Sequence, residues 1–239
     1  MATHLDLEEQ EQLDQIRHFW KQYGNASTWL VIIVLGAFAA WNAYQYWQRS
    51  QASQAAAMYD EVERLSAGGD SDKLERAFGD MKERFAATAY ASQAGLLVAK
   101  SLYDMGKVDG AKAALTWVAE KSKDLGYASV GKLRLAGLLL DAKAYDQALK
   151  VLDSGIAEEF AALQADRRGD IYLAQAKKAE AKQQYLKAFD AFGERTDYRR
   201  LVLVKLNSLG VDPLVDKAAG AAAGSVAQAT GNASSAAKP

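Results

Sequence analysis

The sequence predicts an all-α protein, with one transmembrane helix near the N-terminus followed by a solenoid of about three to four helical hairpins. Three observations carry this. No Asp, Glu, Lys or Arg stands between Lys21 and Arg49. The chain is half hydrophobic by count, with Ala dominant and only two prolines (Pro213 and Pro239) in 239 residues, a composition that suits helices. Beyond the uncharged stretch, small and large apolar residues return at intervals of 33 to 37, and no run alternates with the two-residue period of a strand.

Residues 1–28 form a short acidic piece, expected to be a cytoplasmic tail. Leu5, Leu13, Ile16 and Phe19 recur in it at helical intervals, and its net charge is −3. Residues 29–47 are expected to be a retained signal anchor. Residues 29–46 cover roughly 27 Å at about 1.5 Å per residue, close to the hydrocarbon thickness of a bilayer. Trp29 marks one end, and Trp41, Tyr44, Tyr46 and Trp47 mark the other. Such half-polar rings collect at the headgroup level. A buried core helix would carry a polar stripe, which 30–40 lacks. A cleaved signal peptide would start with a short basic region. Ala37-Phe38-Ala39 resembles its cleavage site, but the segment ahead is long and acidic. Arg17 and Lys21 precede the helix, and only Arg49 follows it before Arg64. The basic side faces the cytoplasm, so the rest of the chain is expected outside, which in a bacterium is the periplasm.

Residues 48–86 are expected to hold a connecting helix and a degenerate first helical pair, punctuated by Gly68-Gly69-Asp70 and with Ala77 and Met81 in its second helix. Helical segments are predicted at about 72–86, 89–105, 107–121, 127–142, 145–158, 160–176, 179–192 and 197–209. Residues 87–212 are assigned to repeats closed by a capping helix, with Asp212-Pro213 ending it. Residues 213–239, rich in Ala, Gly and Ser and without an aromatic after 217, bury too little to offset their ordering entropy and are expected to be disordered.

The repeats can be counted. Ala99, Leu102, Ala111 and Leu115 recur 37 residues on as Ala136, Leu139, Ala148 and Leu152, and a further 33 on as Gly169, Tyr172, Ala181 and Tyr185. Small residues at two crossing points let antiparallel helices approach, and the large residue one turn on fills the space beside them. Neither helix buries its face alone, so the pairs must stack. The alternative is an irregular helical bundle.

The remaining composition excludes chemistry rather than naming it. Net charge is −1, and no basic patch marks a nucleic-acid partner. There is no cysteine, and both histidines, His4 and His18, precede the apolar stretch. Most transition-metal sites and nucleophile–base pairs need one of these residue types. No cofactor and no catalytic or metal site is expected. The run Asp166-Arg167-Arg168-Gly169-Asp170 places two carboxylates on one helical face. It fits an exposed or repeat-bridging pair better than a catalytic or phosphate site.

The spacing resembles the tetratricopeptide repeat, whose period is 34. The repeat's early Trp is replaced by Gly95, Lys132 and Ala165, and its closing Pro by Lys123, Phe160 and Gly193. Together with the short tail and the anchor, these degenerate repeats resemble the YfgM family, ancillary subunits of the SecYEG translocon. The stretches 132–136, 145–153 and 165–170 and the Trp41-to-Trp47 cluster carry that resemblance. It implies an inner-membrane protein with periplasmic repeats. It also implies contact with SecYEG and with periplasmic folding factors, notably the membrane-anchored prolyl isomerase PpiD; unfolded secreted proteins are a further expected partner.

Tetratricopeptide arrays bind through the face of each first helix. Mapping the repeat places Leu96, Lys100 and Tyr103 there in the first unit. Val130, Leu133, Gly137 and Leu140 follow in the second, and Leu163, Asp166, Asp170 and Leu173 in the third. An apolar groove edged with charge suits an extended or helical segment of another protein. The competing role for each leucine is packing between repeats. Gly36 with Ala40, and Ala39 with Ala43, form small-xxx-small pairs in the anchor. The expected function is a non-enzymatic, membrane-anchored scaffold linking emerging secreted proteins to periplasmic chaperones. The alternatives are an envelope-assembly scaffold unrelated to the translocon and a non-catalytic accessory of an envelope hydrolase.

Overall fold

The computed structural model of the chain describes residues 7–193 and 196–215. Of the tail predicted over 213–239, residues 216–239 lie outside the described set, as do the residues before Leu7 and the side chains of Leu13, Ile16 and Phe19. Among the described residues there is no strand. The helices are α1 (Leu7–Gly68), α2 (Ser71–Phe85), α3 (Ala89–Asp104), α4 (Val108–Lys121), α5 (Leu125–Asp141), α6 (Tyr145–Asp153), α7 (Ala161–Ala174), α8 (Lys178–Ala191) and α9 (Asp197–Ser208), with a 3-10 turn at Glu158–Phe160. The chain divides into two compact units, Met1–Gln54 and Ala55–Pro239.

The first unit holds the apolar part of α1. That helix is long and apolar enough to cross a membrane, and its apolar window is not covered by protein. Ile33, Leu35 and Phe38 are exposed, as are Trp29 and Trp41 at the two ends. Its polar side chains return their hydrogen bonds to the helix: Thr28 donates to the Gly24 carbonyl at 2.7 Å and Asn42 to the Phe38 carbonyl at 3.1 Å. This leaves those donors satisfied without water, as a hydrocarbon environment demands.

The second unit is a series of antiparallel hairpins. Ala55 and Val62 of α1 join Leu74, Phe78, Met81 and Phe85 of α2 in the core. Met81 is fully buried, whereas Ala77 is half-buried. Then follow α3 with α4, α5 with α6, α7 with α8, and α9. Asp70, Thr88 and Asp124 cap α2, α3 and α5, accepting from the amides of Lys73, Ala91 and Tyr127. Such caps satisfy donors that have no partner within the helix.

The turns inside the hairpins are copies of one another. At 105–107, 142–144 and 175–177, the amides of Lys107, Ala144 and Lys177 donate back to the carbonyls of Leu102, Leu139 and Tyr172 at 2.7, 2.8 and 2.9 Å. The residue before each amide is left-handed: Gly106 at φ 76, Lys143 at φ 58 and Ala176 at φ 60. This is the glycine-favouring helix stop, built twice without glycine. The left-handed conformation costs an L-residue about 1–2 kcal/mol, against about 0.5–1 kcal/mol for glycine's extra chain entropy. Ala176→Gly is therefore expected to raise unfolding free energy by about 0.5–1 kcal/mol in a denaturant titration. Ala179→Gly, inside α8, should lower it by a similar amount.

Two expected boundaries move. The predicted helix 145–158 stops at Asp153, because Gly155 turns left-handed at φ 76. Lys132 then donates to the Ser154 and Gly155 carbonyls at 2.6 and 2.7 Å. The helix expected to cap the array, α9, ends in the same way as the first helices of the hairpins. Gly210 is left-handed at φ 74, and Val211 donates to the Leu206 carbonyl at 3.1 Å. Asp212-Pro213 does not end it but opens a further helical turn. The Asp212 carboxylate accepts from the Leu214 and Val215 amides, with proline at the first helical position.

The counted repeat positions are the packed ones. Ala99, Leu102, Ala111, Leu115, Ala136, Leu139, Ala148, Leu152, Ala181 and Tyr185 are at most 3 % exposed. Gly169 is buried as well, and Tyr172 is half-buried. Gly95 stands where the repeat carries Trp. A Cβ there would lie 2.4 Å from Val118 Cγ2 and 3.0 Å from Phe78 Cζ. Val118 and Phe78, the latter edge-on to Trp117, thus fill the space the Trp would take. A separate apolar cluster holds α7, α8 and α9 together around Tyr185, Phe189, Val202 and Leu206.

Candidate protein-binding face

The first helices α3, α5 and α7 frame two adjoining cavities. One, of about 470 Å³, is lined by Lys100, Tyr103, Gly137 and Leu138. The other, of about 260 Å³, is lined by Val130, Leu133, Phe160 and Leu163, with Tyr198 of α9 at its edge. Arg134 and Arg167 line both and form the wall between them. Of the residues singled out by the repeat, the structure brings Lys100 and Tyr103 to the larger cavity and Val130, Leu133 and Leu163 to the smaller. Leu96, Leu140 and Leu173 line neither.

Exposure separates them further. Tyr103 is 47 % and Leu173 36 % exposed. Leu96, Leu140 and Leu163 are half-buried against the core. Leu133 is 9 % exposed and belongs to the core cluster. Of the two roles open to it, packing takes most of its surface, because α5 packs against both α3 and α7, and only the edge of Leu133 reaches the cavity.

Asp166 and Asp170 are not free groove carboxylates either. Asp166 is 1 % exposed. Lys205 of α9 reaches its two oxygens at 2.7 and 2.9 Å and Asp170 at 2.7 Å. Tyr198 donates to Asp166 at 2.9 Å and Tyr185 to Asp170 at 2.8 Å. Arg167 also stands 3.5 Å from Asp170. The pair is not exposed; it bridges α7 to α8 and α9. Nothing local in the sequence marks Lys205 as its partner.

Both tyrosines hold their protons unusually tightly. Burial pushes Tyr198 up to about 12, with the Asp166 charge and the hydrogen bond to it adding to the shift. Burial, then the Asp170 charge and hydrogen bond, raises Tyr185 as well. A phenol whose folded value lies above its unfolded value near 10 contributes stability that is fully present below pH 10 and lost as pH rises toward 12. Unfolding free energy is expected to fall between pH 10 and about 12. In Tyr198→Phe that fall should be shallower, as read by denaturant titrations at successive pH values.

On another flank of α5 lies a cavity of about 590 Å³, between α4 and α6, with Ala119, Leu135, Leu139 and Val151 at its floor. It lies beside α6, which has 9 residues where α4 and α8 have 14. The repeat pattern does not point to it, because helix length is not part of that pattern.

Against known proteins, the family described as Tetratricopeptide repeat-like domain matches residues 17–211. The chain is 32 % identical over 213 residues to the "Ancillary SecYEG translocon subunit" of Neisseria gonorrhoeae, covering 87 % of this chain and 100 % of that protein. It is 28 % identical to the proteins of the same description from Haemophilus influenzae and Escherichia coli. Those matches cover 85 % of this chain in each case and 98 % and 97 % of the relatives. Hairpins stacked at the counted period, an apolar helix ahead of them and similarity along nearly the whole chain agree: the chain belongs to the family of ancillary SecYEG translocon subunits, built on a tetratricopeptide repeat-like domain.

Proposed function

We propose that this chain is a non-catalytic, membrane-anchored scaffold of the bacterial inner membrane. It attaches to the SecYEG translocon and offers its repeats, on the periplasmic side, to segments of other proteins. The observation that carries the binding role is the pair of adjoining cavities across α3, α5 and α7, with Tyr103 47 % exposed at their rim. Half-exposed apolar surface beside a preformed cleft is what a docking segment covers. The relatives' description supports the translocon as the site of action. The resemblance supports PpiD and emerging secreted chains as occupants.

Because the chain has no cysteine, a single Tyr103→Cys substitution gives one reporter. A membrane-impermeant maleimide added to intact spheroplasts is expected to label it without lysis. A requirement for lysis would place the repeats in the cytoplasm. Tyr103→Ser should change stability by less than about 0.5 kcal/mol while weakening capture of PpiD by the full-length protein. Undiminished capture would move the contact away from this face.

A further inference from the structure

The wall between the two cavities is built from two arginines at the same place in successive repeats. Arg134 and Arg167 are 33 residues apart, the same step that relates Ala136 to Gly169 and Leu139 to Tyr172. They therefore stack on neighbouring first helices, α5 and α7. Neither is fully committed to the fold. Arg134 is exposed, its one described hydrogen bond is a 3.5 Å contact with the Leu96 carbonyl, and no described ion pair includes it. Arg167 stands 3.5 Å from one oxygen of Asp170, a long ion pair, while Lys205 and Tyr185 hold the other oxygen.

The other charges on this face cancel or are spent. Lys100 pairs with Asp104 at 2.6 Å. Asp166 is satisfied by Lys205 and Tyr198. Lys205 leaves one charge of the Asp166–Asp170 pair over and Asp141 lines the larger cavity, so the face is neutral as a whole, but no described ion pair joins either of these charges to Arg134, whose guanidinium stays open to a carboxylate. Apolar seats lie on both sides of the wall: Tyr103 and Leu138 in the larger cavity, Val130, Phe160 and Leu163 in the smaller. A guanidinium is a planar fork whose geometry matches a carboxylate.

Resting on the reading of this face as a docking site, we propose that its occupant is a protein segment with an acidic residue between two apolar ones. The carboxylate sits on Arg134 and Arg167, and the flanking apolar side chains enter the two cavities. Acidic residues thereby select which stretches of an unfolded chain are held, and purely apolar or basic stretches are passed over.

The test uses full-length protein in lipid nanodiscs, incubated with an immobilised array of short peptides tiling one secreted protein. Each acidic residue is also presented as its amide. Bound peptides are expected to carry Asp or Glu between apolar residues and to lose signal by about tenfold or more as the amide. The double variant R134Q/R167Q should lose the same spots and no longer distinguish acid from amide, with an unchanged unfolding midpoint. Tyr103→Ser should weaken every spot. Binding that ignores the acid-to-amide change, or survives R134Q/R167Q, overturns the acidic preference while leaving the docking face standing if Tyr103→Ser still weakens it. Binding indifferent to all three substitutions, or no binding at all, overturns the docking face as well.

Discussion

Lys205→Met is expected to lower unfolding free energy by about 3 kcal/mol or more, because it strips the cation from two partly or fully buried carboxylates. Among the described residues Lys205 is the one side chain hydrogen-bonded to both Asp166 and Asp170, at 2.7 Å each, and Asp166 is 1 % exposed. Without the ammonium, two negative charges on one face of α7 keep only phenol donors and the 3.5 Å approach of Arg167. The loss should appear first in α9, as faster amide exchange of Val202 and Leu206, which are fully buried. Neutralising the acids should undo it. Lys205→Met combined with Asp166→Asn and Asp170→Asn is expected to regain most of the stability, since replacing a whole buried charge set costs far less than breaking it. A loss under 1 kcal/mol in Lys205→Met would mean the network is screened by solvent and α9 is held by its apolar contacts alone.

The other large effect belongs to Gly169. A Cβ there would lie 2.4 and 2.5 Å from two ring atoms of Tyr185, and the ring is fully buried and tied through its hydroxyl to Asp170. Neither can yield cheaply, so Gly169→Val is expected to cost roughly 3 kcal/mol, near the upper end for overpacking. The steric cause can be isolated. In a Tyr185→Leu background, where the ring is gone, the same substitution should cost markedly less, and a double-mutant cycle measures the difference. Equal costs in both backgrounds would show that the helix crossing is not where the ring and the glycine place it. Gly137, at cavity depth rather than at a crossing, meets nothing closer than Arg167 at 3.8 Å and should accept Ala.

These two predictions rest on different kinds of information. The helix crossing at Gly169 was legible, because small residues 12 apart with a large residue one turn on recur in each hairpin. The tie to Lys205 was not, since that residue stands in α9, a helix outside the counted pattern, 39 and 35 residues from its partners. The candidate face was legible only in outline. The repeat register found α3, α5 and α7, but it could not tell Tyr103 from Leu133. Both occupy first-helix positions, and only the number of neighbouring helices decides that one is 47 % and the other 9 % exposed. Arg134 and Arg167 were visible as a 33-residue echo, yet their significance depends on which carboxylates are already taken.

The sequence alone determined the uncharged apolar stretch, the helical class, the period and the small residues at the crossings. Each is a property of neighbours within a turn or two, or of repetition, so local physics suffices. Only the tertiary structure decided where α6 stops and that α9 ends like a first helix. It alone decided that Asp166 is a buried bridge, and that the groove is two cavities parted by arginines. The two helix ends turn on the left-handed backbone that Gly155 and Gly210 adopt, and the bridge and the parted groove on contacts between helices far apart in the chain. There, burial and the competition for each hydrogen-bond partner depend on everything packed nearby.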